Sequence, residues 1–194
     1  EFLVNEHVLI PRQDTEILVE EALKRAKSGM KILDMCTGSG CILLSVLSNC
    51  PSVMGTGVDL SEKALETARK NAADLKIKAE FLHSDLFEQV EGSFDLILSN
   101  PPYIRTDVIP TLMPEVRDHE PWMALDGKED GLYFYRKILE QAGAYLIPGG
   151  GLCFEIGYDQ GEVLRALMQR QGLEQIEIVK DLAGLDRVAV GRKK

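Results

Sequence analysis

Short apolar runs alternate along this chain with segments whose apolar positions recur every three or four residues, the two periods of buried strands and amphipathic helices. The runs Lys31–Met35, Val53–Asp59, Ala79–His83, Phe94–Ser99 and Gly151–Ile156 predict strands. Between and after them, Cys41–Asn49, Ser61–Asn71, Leu132–Tyr145 and Gln160–Gln171 predict helices. An earlier amphipathic helix is expected over Thr15–Lys27, with Asp14 placed to cap it. This rhythm predicts an α/β fold, a doubly wound and mostly parallel sheet covered by helices. The last two runs, Glu174–Lys180 and Arg187–Gly191, differ. Only the polar turn Asp181–Asp186 separates them, too short for a helical crossover. They should pair as an antiparallel hairpin at the sheet edge and complete seven strands.

One segment breaks the rhythm. Between Tyr103 and Gly131 lie Pro110, Pro114 and Pro121, without a clean period. Loops longer than about 12–15 residues in compact domains are usually functional or disordered, so residues 104–131 are expected to form a lid or platform on the substrate side. The 194 residues otherwise read as one domain, 1–194, with an opening segment and helix at 1–27. The chain opens on Glu1 rather than Met, so a longer parent protein is expected.

Composition narrows the choices. Apolar content of 45% and charged content of 27% are ordinary for a globular domain. No apolar run reaches the roughly 18 residues of a membrane helix, and no membrane partner is expected. The net charge of −9 repels phosphate backbones, and the only basic cluster is the tail Arg192–Lys194, read as a solvated end. That balance weighs against a nucleic-acid substrate. Cys36, Cys41, Cys50 and Cys153 form no CxxC pair, so no metal is expected, and reduced thiols point to a cytoplasmic protein. A monomer is expected.

Candidate chemistry begins at "ILDMCTGSGCILL", where Cys36, Thr37, Gly38, Ser39 and Gly40 join the first strand to a helix. Gly38 and Gly40 permit the close ligand approach that a Cβ would obstruct. In a doubly wound sheet, ligands bind at the carboxyl ends of the strands. A dinucleotide fingerprint would need a third glycine where Leu43 stands, which turns the reading away from NAD. Asp59, with Leu60 beside it, follows the glycines by about 20 residues, the spacing of a ribose-binding acid. Its alternative role is to cap the helix beginning at Ser61. In "HSDLF", Asp85 is placed to accept a hydrogen bond from an adenine amine while Leu86 packs on the ring, or else serves as a polar turn residue.

The stretch "FDLILSNPPYIRTD" ends a buried run in Asn100, Pro101, Pro102 and Tyr103. Proline fixes its own φ and forces the preceding residue into extended geometry. Two in succession stiffen the corner and remove competing N–H donors. The Asn100 side-chain oxygen and the Pro101 carbonyl are then placed to accept two hydrogen bonds from one –NH2 group, and Tyr103 to stack on its plane. Such a site suits an adenine, a cytosine or a glutamine side chain. Holding both N–H bonds aims the nitrogen lone pair at an electrophile and stabilises charge developing there. With Pro at about 5% of residues, an adjacent pair arises by chance about once in 400 positions. Asn before it and Tyr after it, at a strand end, leave accident a poor explanation.

At these residues the chain resembles the peptide chain release factor glutamine methyltransferases, over essentially its whole length. "VLIPRQDTEILVE" is similar to the family's opening motif, with Gln13 where proline is usual. "ILDMCTGSGCI" matches its glycine loop, with Cys36 where a first glycine is common, and "SNPPYI" matches its substrate motif without change. "VRDHEPWMALDGKEDGLYFYRKI", "FEIGYDQG" and "DLAGLDRVAVGRK" resemble the segments that follow. The resemblance implies the class I, Rossmann-like methyltransferase fold, S-adenosylmethionine as methyl donor and S-adenosylhomocysteine as product. It implies as acceptor the glutamine amide of a Gly-Gly-Gln tripeptide in release factors. Cofactor roles then fall on Cys36 to Gly40, Asp59, Leu60, Asp85, Leu86 and Asn100. Catalysis and acceptor binding fall on Asn100, Pro101 and Tyr103, with Pro102 also holding the acceptor. Arg12 and Glu16 are placed either to close the site wall or simply to start a helix, and Glu155 ends a strand facing the crevice. The family's N-terminal helical domain has no counterpart in these residues. Glutamine methylation of a ribosomal protein and adenine methylation of nucleic acid stay open as alternatives.

Overall fold

The computed structural model describes residues 1–194. Seven strands form one sheet: β1 (Lys31–Met35), β2 (Met54–Asp59), β3 (Glu80–His83), β4 (Phe94–Ser99), β5 (Leu146–Glu155), β6 (Leu173–Lys180) and β7 (Asp186–Lys193). Their order is β3-β2-β1-β4-β5-β7-β6, parallel except for β7, which runs antiparallel to both its neighbours. The helices are α1 (Thr15–Arg25), α2 (Cys41–Asn49), α3 (Glu62–Leu75), α4 (Pro114–Arg117), α5 (Trp122–Leu125), α6 (Tyr133–Tyr145) and α7 (Gly161–Arg170). No helix is long and apolar enough to cross a membrane.

Period-two alternation divides the core between the two faces. Leu33, Ile97, Leu152 and Phe154 pack with Tyr135, Ile138 and Leu164 of α6 and α7. Their neighbours Ile32, Leu96, Leu98 and Cys153 pack with Leu18 of α1 and Leu43 and Val46 of α2. Register then aligns the strand ends. Met35 pairs with Val58 and Ser99, Asp59 with His83, and Ser99 with Phe154. The loops that begin at Cys36, Leu60, Ser84 and Asn100 therefore leave one edge of the sheet, on both sides of the β1/β4 switch point.

Three local expectations need correction. Asp14 does not cap α1: its backbone is already helical (φ −58°, ψ −32°), whereas a capping side chain needs extended geometry to reach back to the helix amides. Its carboxylate instead lies 3.2 Å from Arg187 Nε. Strand β5 starts at Leu146 rather than Gly151, because Leu146 pairs with Phe94 across a register shift that the Pro-Gly-Gly-Gly sequence accommodates. The basic tail is not a solvated end. β7 continues through it, Lys193 Nζ donates to the Gly143 and Leu146 carbonyls, and Arg192 Nε donates to the Gly149 carbonyl. Residues 104–131 are structured: Pro114 opens α4, Pro121 precedes α5, and Pro110 lies in a short 3-10 turn, Ile109–Thr111.

Candidate active site

A cleft of about 950 Å3 opens along the carboxyl ends of β1, β2, β3 and β4. Cys36, Thr37, Gly38 and Ser39 form its floor; Asp59, Leu60, Asp85 and Leu86 line one side and Asn100 and Pro102 the other. The chain's opening segment, from His7 to Pro11, borders it together with Thr15 of α1, Met123 and Ala124 of α5, and Phe134 of α6.

The floor is stiffened by its own hydrogen bonds. Asp59 accepts from the Gly38 N–H and the Ser61 N–H, each at 2.9 Å, so one carboxylate ties the glycine loop to the start of α3. Burial raises the Asp59 pKa, and these backbone donors only partly offset it. The cap of α3 is Ser61, whose Oγ accepts from Ala64 N–H, so Asp59 is not needed there. Asp34 is fully buried beneath the loop and accepts a 2.6 Å hydrogen bond from Thr37; burial pushes its pKa up to about 7. Asn71 of α3 donates to the carbonyls of Ser39 and Leu3 and accepts from the Leu3 N–H. It thereby holds the opening segment beside the loop.

Of the residues singled out in the sequence, Gly40, Pro101, Tyr103, Arg12, Glu16 and Glu155 do not line the cleft. Gly40 caps α2 with φ 77°, and a Cβ there would lie 3.2 Å from Ala68, so it serves packing behind the loop. In the extended turn Asn100–Tyr103, successive side chains alternate sides. Asn100 and Pro102 face the cleft while Tyr103 turns to the α6 and α7 side, packing on the core there. The Tyr103 hydroxyl, held protonated by burial, donates to Glu155 Oε1 at 3.4 Å. Tyr103 thus supports the turn from behind rather than presenting a stacking face to the cleft.

Two glycines and a glutamine clamp this turn. A Cβ on Gly127 would stand 2.7 Å from Tyr103 Cα, and one on Gly131 (φ 72°) would collide with the Tyr103 carbonyl oxygen. Gln160 donates to the same carbonyl at 3.1 Å and to the Gly131 carbonyl, while its own oxygen accepts from Gly157 N–H. Asp126 organises the overlying segment by accepting from Thr106 (2.6 Å), Trp122 and Lys128. Burial opposes charge on Asp126, but the Thr106 and Lys128 hydrogen bonds outweigh it and hold its pKa at about 2. Arg12 pairs with the buried Glu120, fastening the opening segment to this platform. Glu16 is exposed and lies outside the cleft.

Sequence reasoning missed Thr15, Asn71, Glu120, Asp126, Gln160 and the two clamping glycines as site residues. Most act across long chain separations, such as the 57 residues between Gln160 and Tyr103. All of them except Asn71 stand inside segments already picked out by their family resemblance.

Comparison with known proteins gives the same reading. The model of the methyltransferase small domain family matches residues 12–113. A release factor glutamine methyltransferase of Caulobacter vibrioides is 48% identical over 98% of this chain and 68% of its own length. That of Agrobacterium fabrum is 46% identical over all of this chain and 70% of its own length. A solved protein-(glutamine-N5) methyltransferase, release factor-specific, from Alicyclobacillus acidocaldarius superposes with a TM-score of 0.58 at 32% identity. That match covers 100% of this chain and 99% of the other. With the Asn100–Pro102 turn and the glycine loop meeting in one cleft and relatives this similar along nearly the whole chain, the protein belongs to the release factor glutamine methyltransferases.

Proposed function

We propose that residues 1–194 form one domain that methylates the side-chain amide of the glutamine in the Gly-Gly-Gln motif of peptide chain release factors, in the cytoplasm, with S-adenosylmethionine as donor. The observation that carries this reading is the meeting of Asn100 with Gly38 and Asp59 in one cleft. A nitrogen acceptor and an adenosine ligand would share that space.

The residues present fit the cofactor. A Cβ built on Gly38 meets nothing within 4 Å, so the loop leaves open room beside its own backbone. Asp59 retains lone pairs for ribose hydroxyls after accepting its two backbone hydrogen bonds. The buried Thr15 side chain also lines the cleft and offers its hydroxyl oxygen as an acceptor to the polar amino-acid end. Leu60 and Leu86 offer apolar surface to the adenine, with Asp85 exposed beside them. When bound, S-adenosylmethionine supplies a methyl group already activated on a sulfonium sulfur.

The protein's part is positioning. Asn100 on the cleft wall and the backbone carbonyl of Pro101, which lies between the cleft-lining residues Asn100 and Pro102, accept the two N–H bonds of the glutamine amide, fixing the direction of the nitrogen lone pair. The same oxygens stabilise positive charge as it develops on nitrogen. No strong base is required, because the alkylated nitrogen loses its proton readily. Residues 104–131 form the platform on the substrate side, next to the cleft mouth where Trp122 and Met123 are half exposed.

The test is incubation with methyl-labelled S-adenosylmethionine and an intact release factor, followed by mapping of the label. Label on the glutamine of Gly-Gly-Gln is expected. Label confined to another residue, to a ribosomal protein or to nucleic acid would overturn the proposal.

A further inference from the structure

The transfer scheme above leaves one buried carboxyl unexplained. Glu155 ends β5 at 2% exposure, with its backbone carbonyl held by the Tyr135 hydroxyl at 2.7 Å. Its Oε1 accepts from Tyr103, the last residue of the acceptor turn, while Oε2 has no partner. Thr15 is the neighbour on the other side. Its hydroxyl, 5% exposed as a residue and on the cleft wall, also completes no hydrogen bond. Unpartnered buried polar atoms are rare in native proteins and call for an explanation. The two lie beside one another, close enough that Thr15 favours the charged form of Glu155. Catalytic hydrogen bonds are often long in the absence of ligand and tighten in the complex.

We infer that Glu155 is a positioning residue for methyl transfer: its carboxyl group joins the Tyr103 end of the acceptor turn to the Thr15 end of the cofactor wall. The inference rests on the function proposed above. Placement of a nucleophile and a methyl donor is sensitive to sub-ångström shifts, so a group that spans the two walls controls their register. Glu155 does this without touching either substrate.

The groups facing Glu155 are Asp14 and Thr15 of α1, Cys41 of α2, Tyr103, Tyr135 of α6 and Arg187 of β7. Burial raises its pKa most. Asp14 adds to that, while Thr15, Tyr103 and Arg187 oppose it, and the result is about 7. Above that pH the carboxylate accepts from Tyr103 and attracts the neighbouring Thr15 hydroxyl. Below it, a proton turns one oxygen into a donor and leaves Tyr103 a weaker acceptor.

The test compares wild type with Glu155→Gln, which keeps shape and removes the titration. Wild-type kcat/KM for the release factor should rise with pH through about 7. The Gln variant should lack that inflection and fall about tenfold below the wild-type upper plateau. A variant that had merely lost folded molecules would be lower at every pH and keep the inflection, which would overturn the inference. Tyr103 ring resonances, followed by NMR without cofactor or acceptor, should titrate near pH 7 in wild type and not in Glu155→Gln. Resonances that stay fixed in wild type would likewise overturn it. A wild-type chain with the Tyr103 titration but no methyl transfer would count against the proposed function and leave the Tyr103–Glu155 contact established.

Discussion

Gly127→Ala is the sharpest test of how the acceptor turn is held. The new Cβ would lie 2.7 Å from Tyr103 Cα, 2.8 Å from Tyr103 C and 2.9 Å from Gly131 Cα. All three are backbone atoms, so no side chain can swing aside. Ordinary contact begins near 3.4 Å, which means the Tyr103 backbone must retreat by about 0.7 Å. Overpacking of this kind costs about 1–3 kcal/mol in stability, or a fall in Tm of about 2–4 °C per kcal/mol at this chain length. The larger effect should be catalytic. A misplacement approaching 1 Å can cost about 100-fold in rate, and the stiff prolines would carry the shift directly to Asn100. Gly38 and Asp59 lie across the cleft, so cofactor affinity should change little. Steady-state kinetics with a release factor, beside calorimetric titration of S-adenosylmethionine, separates the two effects. Wild-type turnover, or a loss of cofactor affinity as large as the loss of turnover, would refute the clamp.

Three other outcomes follow from the same geometry. Asp59→Ala should weaken S-adenosylmethionine binding by at least about tenfold, because it removes the brace on Gly38 and the proposed ribose acceptor; unchanged affinity in calorimetry would remove Asp59 from the cofactor site. Arg12→Ala should destabilise the protein by about 1–3 kcal/mol, since Glu120 is left buried and unpaired; the figure stays below that of fully buried pairs because Arg12 is itself largely exposed. Asp126, with its pKa held at about 2, contributes stability that is fully present above the unfolded value of about 4 and is lost as pH falls toward 2. Melting curves across that window should therefore steepen in wild type relative to Asp126→Asn, and parallel curves would contradict the assignment.

Where local pattern decides structure, the sequence was legible. β1, β4 and α2 match their predicted spans residue for residue, because each carries its own period and clear breakers at its ends. That the glycine loop, Asp59 and Asn100 would meet at the strand ends was legible for the same reason, their positions being fixed by spacing along the chain, while the roles proposed for them await the substitution assays. What local pattern cannot see is which distant group competes for a side chain. Asp14 looks like a cap, but Arg187 draws its carboxylate. Tyr103 looks like a stacking platform, yet the alternation of an extended chain turns it toward Glu155. The predicted strand begins only at Gly151, and pairing of Leu146 with Phe94 extends β5 back through Pro148 and Gly149. The proline-rich platform hides its short helices because Asp126, Glu120 and Gln160 order it through tertiary contacts.

The central claim is that the Asn100 corner serves the acceptor amide in a cleft whose other wall holds the methyl donor. Asn100→Ala, assayed together for methyl transfer to an intact release factor and for S-adenosylmethionine binding by calorimetry, tests it most directly. Transfer should disappear while cofactor affinity stays close to wild type. Undiminished transfer by that variant would contradict the account.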